Sequence, residues 1–182
     1  MHPRKSLLLA INLIGGAAVL GSYAYGIGTH ANATAVLWGC VPGTIRPAYT
    51  AGMLLAAAGY FAFIYFILFR LDPRAARVGG RVGFGLFNIL FAGILIPSAL
   101  WMPLTFAAVA ASSVLLLWVV RVVLAVVGLA SLGLLAALWK VEPRQPAWAH
   151  RLAVIGCAAF CLQTALLDMI VWSAYFTVSI CR

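Results

Sequence analysis

Residues 151–175 read RLAVIGCAAFCLQTALLDMIVWSAY. The stretch is apolar over more than the roughly 20 residues that an α-helix needs to cross a ~30 Å hydrocarbon core. Its ends carry Arg151 and Trp172, residue types that settle at membrane interfaces. Its anomaly is Asp168, the one acidic residue of the chain inside a hydrophobic segment. At helical spacing Cys157, Cys161, Thr164, Asp168 and Trp172 share one face, because steps of three and four residues return to the same side. A carboxylate in an apolar span needs a partner elsewhere in the chain.

The 182 residues are 65% hydrophobic and 8% charged, with a mean hydropathy of +1.10, more apolar surface than a soluble core of this length can hide. An integral membrane protein is expected. The net charge of +9 does not point to nucleic acid, because the basic residues sit between apolar runs and act as topology signals. Cys40, Cys157, Cys161 and Cys181 form no CxxC and no zinc spacing, which argues against a redox or metal centre.

The expected fold is all-α: a polytopic single domain over residues 1–182, with five transmembrane helices at about 6–25, 50–69, 83–101, 107–139 and 151–175. Residues 26–49 form the longest connection. Its Gly and Pro content rules out a continuous helix, and Trp38 and Tyr49 suit the headgroup level. Pro97 is expected to kink or end the third helix, and Trp101-Met102-Pro103 to make a tight turn. The next run, 106–139, exceeds one perpendicular crossing, so it either tilts and projects or starts outside the bilayer. The aromatic run from Tyr60 to Phe69 reads as lipid-facing or core.

Arg4, Lys5, Arg70, Arg74, Arg77, Arg81, Lys140, Arg144 and Arg151 collect on one side, against Arg46 and Arg182 on the other. Short basic loops stay cytoplasmic, so the N-terminus is predicted inside and the C-terminus outside, with the 26–49 loop on the outer face and a bacterial inner (plasma) membrane as the location. Cys40 and Cys181 then share the outer side, where two free thiols are the default and a disulfide the alternative.

Interfacial Arg and Trp residues also serve as a depth ruler. Arg121 lies 18 residues from Trp139 and Asp168 lies 17 from Arg151, which puts them at one depth on antiparallel neighbours, near the outer interface. They are read either as an ion pair fixing two helices, with Arg121 snorkelling outward, or as a polar feature at the mouth of a cavity. Asn12 and Asn88, each seven residues above the last inner basic residue, are expected to form an interhelical amide pair. Gln163 could join either set. Gly15, Gly16, Gly128, Ser131 and Gly133 would allow close helix approach.

Catalytic machinery is not evident. The three histidines fall at segment ends, with no paired imidazoles for haem, and HExxH, G-x-S-x-G, a P-loop and clustered carboxylates are all missing from the sequence. Neither an enzyme nor a cofactor-dependent or metal-dependent protein is expected.

Pro47-Ala48-Tyr49-Thr50 at the start of the second helix is similar to a Pro-x-aromatic-Thr pattern, and Leu167-Asp168-x-x-Val171-Trp172 resembles Leu-Asn-x-x-Ile-Trp. Both patterns belong to the TspO/peripheral benzodiazepine receptor (tryptophan-rich sensory protein) family, which shares the five helices and the long first loop. Asp168 stands where the family has Asn, and the family's Gln/Asn/Trp pattern in helix three is not reproduced by Asn88 and Trp101. The resemblance implies a site for a porphyrin-like or sterol-like ligand among the helices under the first loop, with Trp38, Tyr49, Arg121, Asp168 and Trp172 as its residues. The leading expectation is therefore a membrane protein that binds, or also transports, an apolar or amphipathic molecule in an outer-facing cavity. An accessory or structural subunit of a larger membrane protein complex is the alternative, and a homodimer or such a complex is the expected assembly.

Overall fold

The computed structural model describes residues 2–178, and five of its helices are long and apolar enough to cross a membrane. The spans are α1 (Pro3–Thr29), α3 (Arg46–Tyr65) continued to Arg70, α4 (Gly85–Ala110), α5 (Val114–Lys140), and α6 (Ala147–Cys161) continued to Tyr175. Both α3 and α6 continue as π-helix, over Phe66–Arg70 and Leu162–Trp172 respectively. The five helices fit an integral membrane protein. Their exposed faces carry large apolar side chains, among them Leu13, Ile14, Leu54, Phe61, Ile89 and Leu115. Such faces are stable against lipid rather than water.

The packing order is α1 on α4, α4 on α5, α5 on α6 with its π continuation, and α6 on α3. The main core gathers phenylalanines from α3 and α4, with Phe63, Phe66, Phe87 and Phe91 fully buried. Gly15, Gly128 and Gly133 do sit under neighbouring helices, against Leu95, Met169 and Leu90; nothing lies within 4 Å of a Cβ built on Gly16. The tightest approach is elsewhere, where Gly59 of α3 meets Gly156 of α6 backbone to backbone.

Two helix boundaries differ from the sequence reading. The turn expected at Trp101-Met102-Pro103 is absent, and α4 runs through both Pro97 and Pro103 to Ala110. Proline costs a helix one N–H donor, but neighbouring helices and hydroxyl side chains can absorb that cost in an apolar setting. Ser98 and Thr105 donate to the carbonyls of Ile94 and Trp101, each at 2.7 Å, within a turn of the two prolines. The over-long run at 106–139 is thereby resolved, since its first residues belong to α4. The chain turns at Ser112, whose φ is +45°, and Ser113 caps α5 by accepting from the Leu116 N–H at 3.3 Å. Ser113→Ala is expected to cost about 1 kcal/mol in reversible unfolding in detergent. An unchanged midpoint would show that the cap is idle.

The all-α expectation describes the bundle but misses a small sheet at its basic end. Strands β1 (Arg77–Val78) and β2 (Val82–Gly83) form a hairpin over Gly79 and Gly80, whose φ values of +58° and +73° suit glycine. Strand β3 (Val141–Glu142), which follows α5, pairs with β1 on the other side. This ties the α3–α4 and α5–α6 connections together. The start of α1 joins them through Asn88 Nδ2, which donates to the Arg4 carbonyl at 3.3 Å. The nine basic residues grouped from sequence thus belong to one end of the bundle.

At the other end, the 26–49 connection is shorter and more ordered than a plain loop. Helix α1 persists to Thr29, and α2 (Ala33–Trp38) follows a left-handed Asn32. The Cys40–Cys181 pairing lies outside the described residues, which exclude Cys181. Cys157 and Cys161 are free and buried.

Candidate functional site

The π-helical segment decides where Asp168 points. Up to Thr164 the face read from sequence holds: Cys161 Sγ donates to the Ser131 carbonyl at 3.1 Å, and the Ser131 and Thr164 hydroxyls meet at 2.7 Å, all against α5. Beyond that point the wider turn shifts the stripe by one residue. The residues facing Gly128 of α5 become Ala165 and Met169 in place of Thr164 and Asp168. Asp168 is rotated off the α5 side. In a helix bonded from i to i+5, residues five apart stack, and Gln163 Nε2 donates to Asp168 Oδ1 at 2.8 Å.

Gln163 and Asp168 therefore share a face turned towards α1 and α3. The Gln163 Oε1 atom presses on Gly52 of α3, where an added Cβ would come within 2.5 Å of it. Asp168 lies within electrostatic reach of the phenols of Tyr23 on α1 and Tyr49 on α3. Gln163 Oε1 and Trp101 Nε1 are buried without a hydrogen-bond partner among the described residues. Helices α1 and α3, by contrast, approach each other little along their length and meet chiefly at the π turn after α3 and through the Tyr60 hydroxyl, which donates to Asn12 Oδ1. Asp168 is half-buried.

An aromatic layer covers this polar pair. Tyr49 is buried and donates to the Leu167 carbonyl in the π segment, while Trp38 meets its ring edge-on at 5.7 Å. Arg46 holds Trp38 from outside, with its guanidinium carbon 5.4 Å from the ring centre. Trp172 donates to the Leu37 carbonyl of α2 at 2.8 Å and stacks on Phe176 at 4.1 Å. It also meets Trp101 edge-on at 5.7 Å, and Trp101 in turn meets Tyr23 at 5.8 Å.

Of the five residues proposed from sequence, Trp38, Tyr49, Asp168 and Trp172 are thus brought together, and Arg121 is not. Among the described residues Arg121 and Asp168 form no ion pair. The Arg121 guanidinium lies 4.8 Å over the exposed ring of Trp118, one turn earlier on its own helix, and its Nε is buried without a partner. The arginine snorkels along α5 instead of crossing to α6. The reason is the register shift, since the α-helical spacing that would have aimed Asp168 at α5 ends at Leu162. The Asn12–Asn88 pair is likewise not made: Asn12 bonds the Leu8 carbonyl and Tyr60, and Asn88 bonds the Arg4 carbonyl.

The sequence reading missed Tyr23 and Trp101 as parts of this site and left Gln163 open between the Asp168 and Asn12–Asn88 sets, of which it joins the first. Gln163 carried a signal as the one amide in the last span, but its bond to Asp168 is invisible at α-helical spacing. An open cavity lies away from this site. It is at the basic end, between Trp139 of α5 and Ile155 of α6.

Compared with known proteins, the chain matches no family model, no curated protein and no solved structure. The resemblance to the TspO family rests on the quoted residues alone.

Proposed function

We propose that this chain is an integral membrane protein that binds a small apolar or amphipathic molecule at the Gln163–Asp168 pair, under the layer formed by Trp38, Tyr49, Trp101 and Trp172. The observation that carries the reading is the π segment. It turns an acid away from the neighbour that would have hidden it, and among the described residues its carboxylate pairs with a neutral amide. A charged side chain in an apolar span is costly, about 2.5–3.5 kcal/mol at a helix centre and less towards the interface, and π turns recur at functional sites. Tyr23, Tyr49 and Trp101 line the same region with donors and ring faces. By charge placement the basic end is proposed to face the cytoplasm, which puts the aromatic layer on the outer side of a bacterial inner membrane.

The test uses a porphyrin and a sterol as probes on the purified full chain in detergent, with tryptophan fluorescence as the readout. Asp168→Asn is expected to change the affinity for a bound probe about tenfold, in line with a charged hydrogen bond. Its melting temperature should stay near wild type, and Arg121→Ala should leave affinity unchanged. Identical affinities in wild type and Asp168→Asn would end the proposal.

A second reading, an accessory subunit of a larger membrane complex, is favoured by α1. Of its 27 residues only Leu8 and Gly26 are fully buried: one face packs on α4, and the opposite face, with Leu13, Ile14 and Leu20, is exposed and free for a partner helix. A stoichiometric partner retained through purification in mild detergent would support it over the binding protein.

A further inference from the structure

At the basic end, where α5 gives way to α6, an open cavity of about 460 Å³ is lined by Trp139, Arg144, His150, Arg151, Val154 and Ile155. Arg144 is anchored by Nε to the Val141 carbonyl at 3.2 Å and by one Nη to the Trp139 carbonyl at 2.8 Å. Its other Nη bonds none of the described residues. Arg151 is exposed and makes no hydrogen bond to the described residues. His150 forms the back wall, fixed by its ring nitrogen to the Leu138 carbonyl at 2.9 Å and by an edge-type contact with the Phe66 ring at 5.4 Å.

We propose that this cavity binds the phosphate headgroup of an anionic phospholipid. Two arginines supply the charge, and one of them is held in a fixed orientation. The wall then changes character along α6: Val154 and Ile155 lie three and four residues after Arg151, on the same side of the helix. They continue the cavity about 6 Å towards the apolar part of the span. Ile155 and Trp139 are each 65% exposed, so the walls are open for an acyl chain. A soluble phosphate would use the arginines and gain nothing from the apolar slope. A diacyl lipid uses both, and basic pockets beside transmembrane helices suit such headgroups. The inference requires that the five helices span a bilayer, and it is independent of the Asp168 site.

The experiment is native mass spectrometry of the full chain purified in detergent and supplied with phosphatidylglycerol or phosphatidylcholine. Wild type is expected to retain phosphatidylglycerol at least about fivefold over phosphatidylcholine, with about a fivefold loss for each arginine removed in Arg144→Ala and Arg151→Ala. Arg151→Gln, at a side chain that bonds nothing described, guards against a folding artefact and should show the same loss. Arg81→Ala, which removes a charge from the same end but not from the cavity, should stay within about twofold of wild type. Equal retention of the two lipids, unchanged retention in the Arg151 variants, or an Arg81→Ala loss as large as theirs would overturn the site. Displacement of the lipid by glycerol phosphate at equal concentration would assign the cavity to a soluble anion and overturn the lipid proposal.

Discussion

Gly59→Ala is expected to separate α3 from α6 and to destabilise the bundle by about 3 kcal/mol, at the upper end of ordinary overpacking. The two helices touch through backbone. A Cβ on Gly59 would overlap the Gly156 carbonyl, with the carbonyl carbon 2.8 Å away and the Cα 2.9 Å away. The reciprocal Cβ on Gly156 would sit 2.7 Å from the Gly59 oxygen. No side chain can rotate out of the way, so the helices themselves must move. Helix association in lipid has little hydrophobic drive and relies on close packing, which makes that separation costly. Gly156→Ala should cost a similar amount, and the double variant less than the sum, because the first substitution already opens the crossing. Gly16→Ala is the control, with nothing within 4 Å of its Cβ, and should be neutral or slightly stabilising through helix propensity. Unfolding in detergent, followed by circular dichroism, checks all four. A Gly59→Ala midpoint equal to that of Gly16→Ala would sink the argument.

That Gly59–Gly156 contact was not legible beforehand, whereas the five spans were. A span is a one-dimensional property: apolar length and flanking charge can be counted without knowing what packs where. Grouping Arg70 to Arg81 with Lys140 to Arg151 needed only the alternation of loops. Which glycine lies at a helix crossing depends on rotation about each axis. Gly16 has no such role, and the sequence around it does not say so. The α4 boundary differs because a proline inside an apolar span surrounded by packed helices is tolerated where one in water would end the helix. The site was half legible for the same reason. Trp38, Tyr49, Asp168 and Trp172 converge because depth alone brings them to one end, but the facing direction of Asp168 depends on one residue gained in a π turn. No spacing rule for α-helices contains that residue, and so Arg121 was matched to a partner that looks elsewhere.

Trp172→Ala is expected to release the cap over Asp168 at a cost of about 3–5 kcal/mol, the usual range for deleting a buried large aromatic side chain. Trp172 is only 4% exposed and joins three elements at once: α2 through the Leu37 carbonyl, α4 through Trp101, and the chain after α7 (Ser173–Tyr175) through Phe176. The loss should be local before it is global. Helix α2 has six residues, too few to hold its own hydrogen bonds without a surface to rest on. Gly39, left-handed at φ +49°, also packs directly on the Phe176 ring, so displacing that ring frees the end of α2 as well. Amide hydrogen exchange over residues 33–41 should therefore accelerate strongly in Trp172→Ala, while α5 and the Gly59–Gly156 crossing stay protected. Trp172→Phe separates the two contributions: it keeps a ring against Phe176 but loses the donor to Leu37, which should cost about 1 kcal/mol and give an intermediate exchange rate. Trp118→Ala, on a ring that is 57% exposed, should change exchange near α2 not at all. If Trp172→Ala left residues 33–41 as protected as wild type, the aromatic layer would not be what holds α2 over Asp168. Access to the acid would then have to be controlled along the α1–α3 side instead.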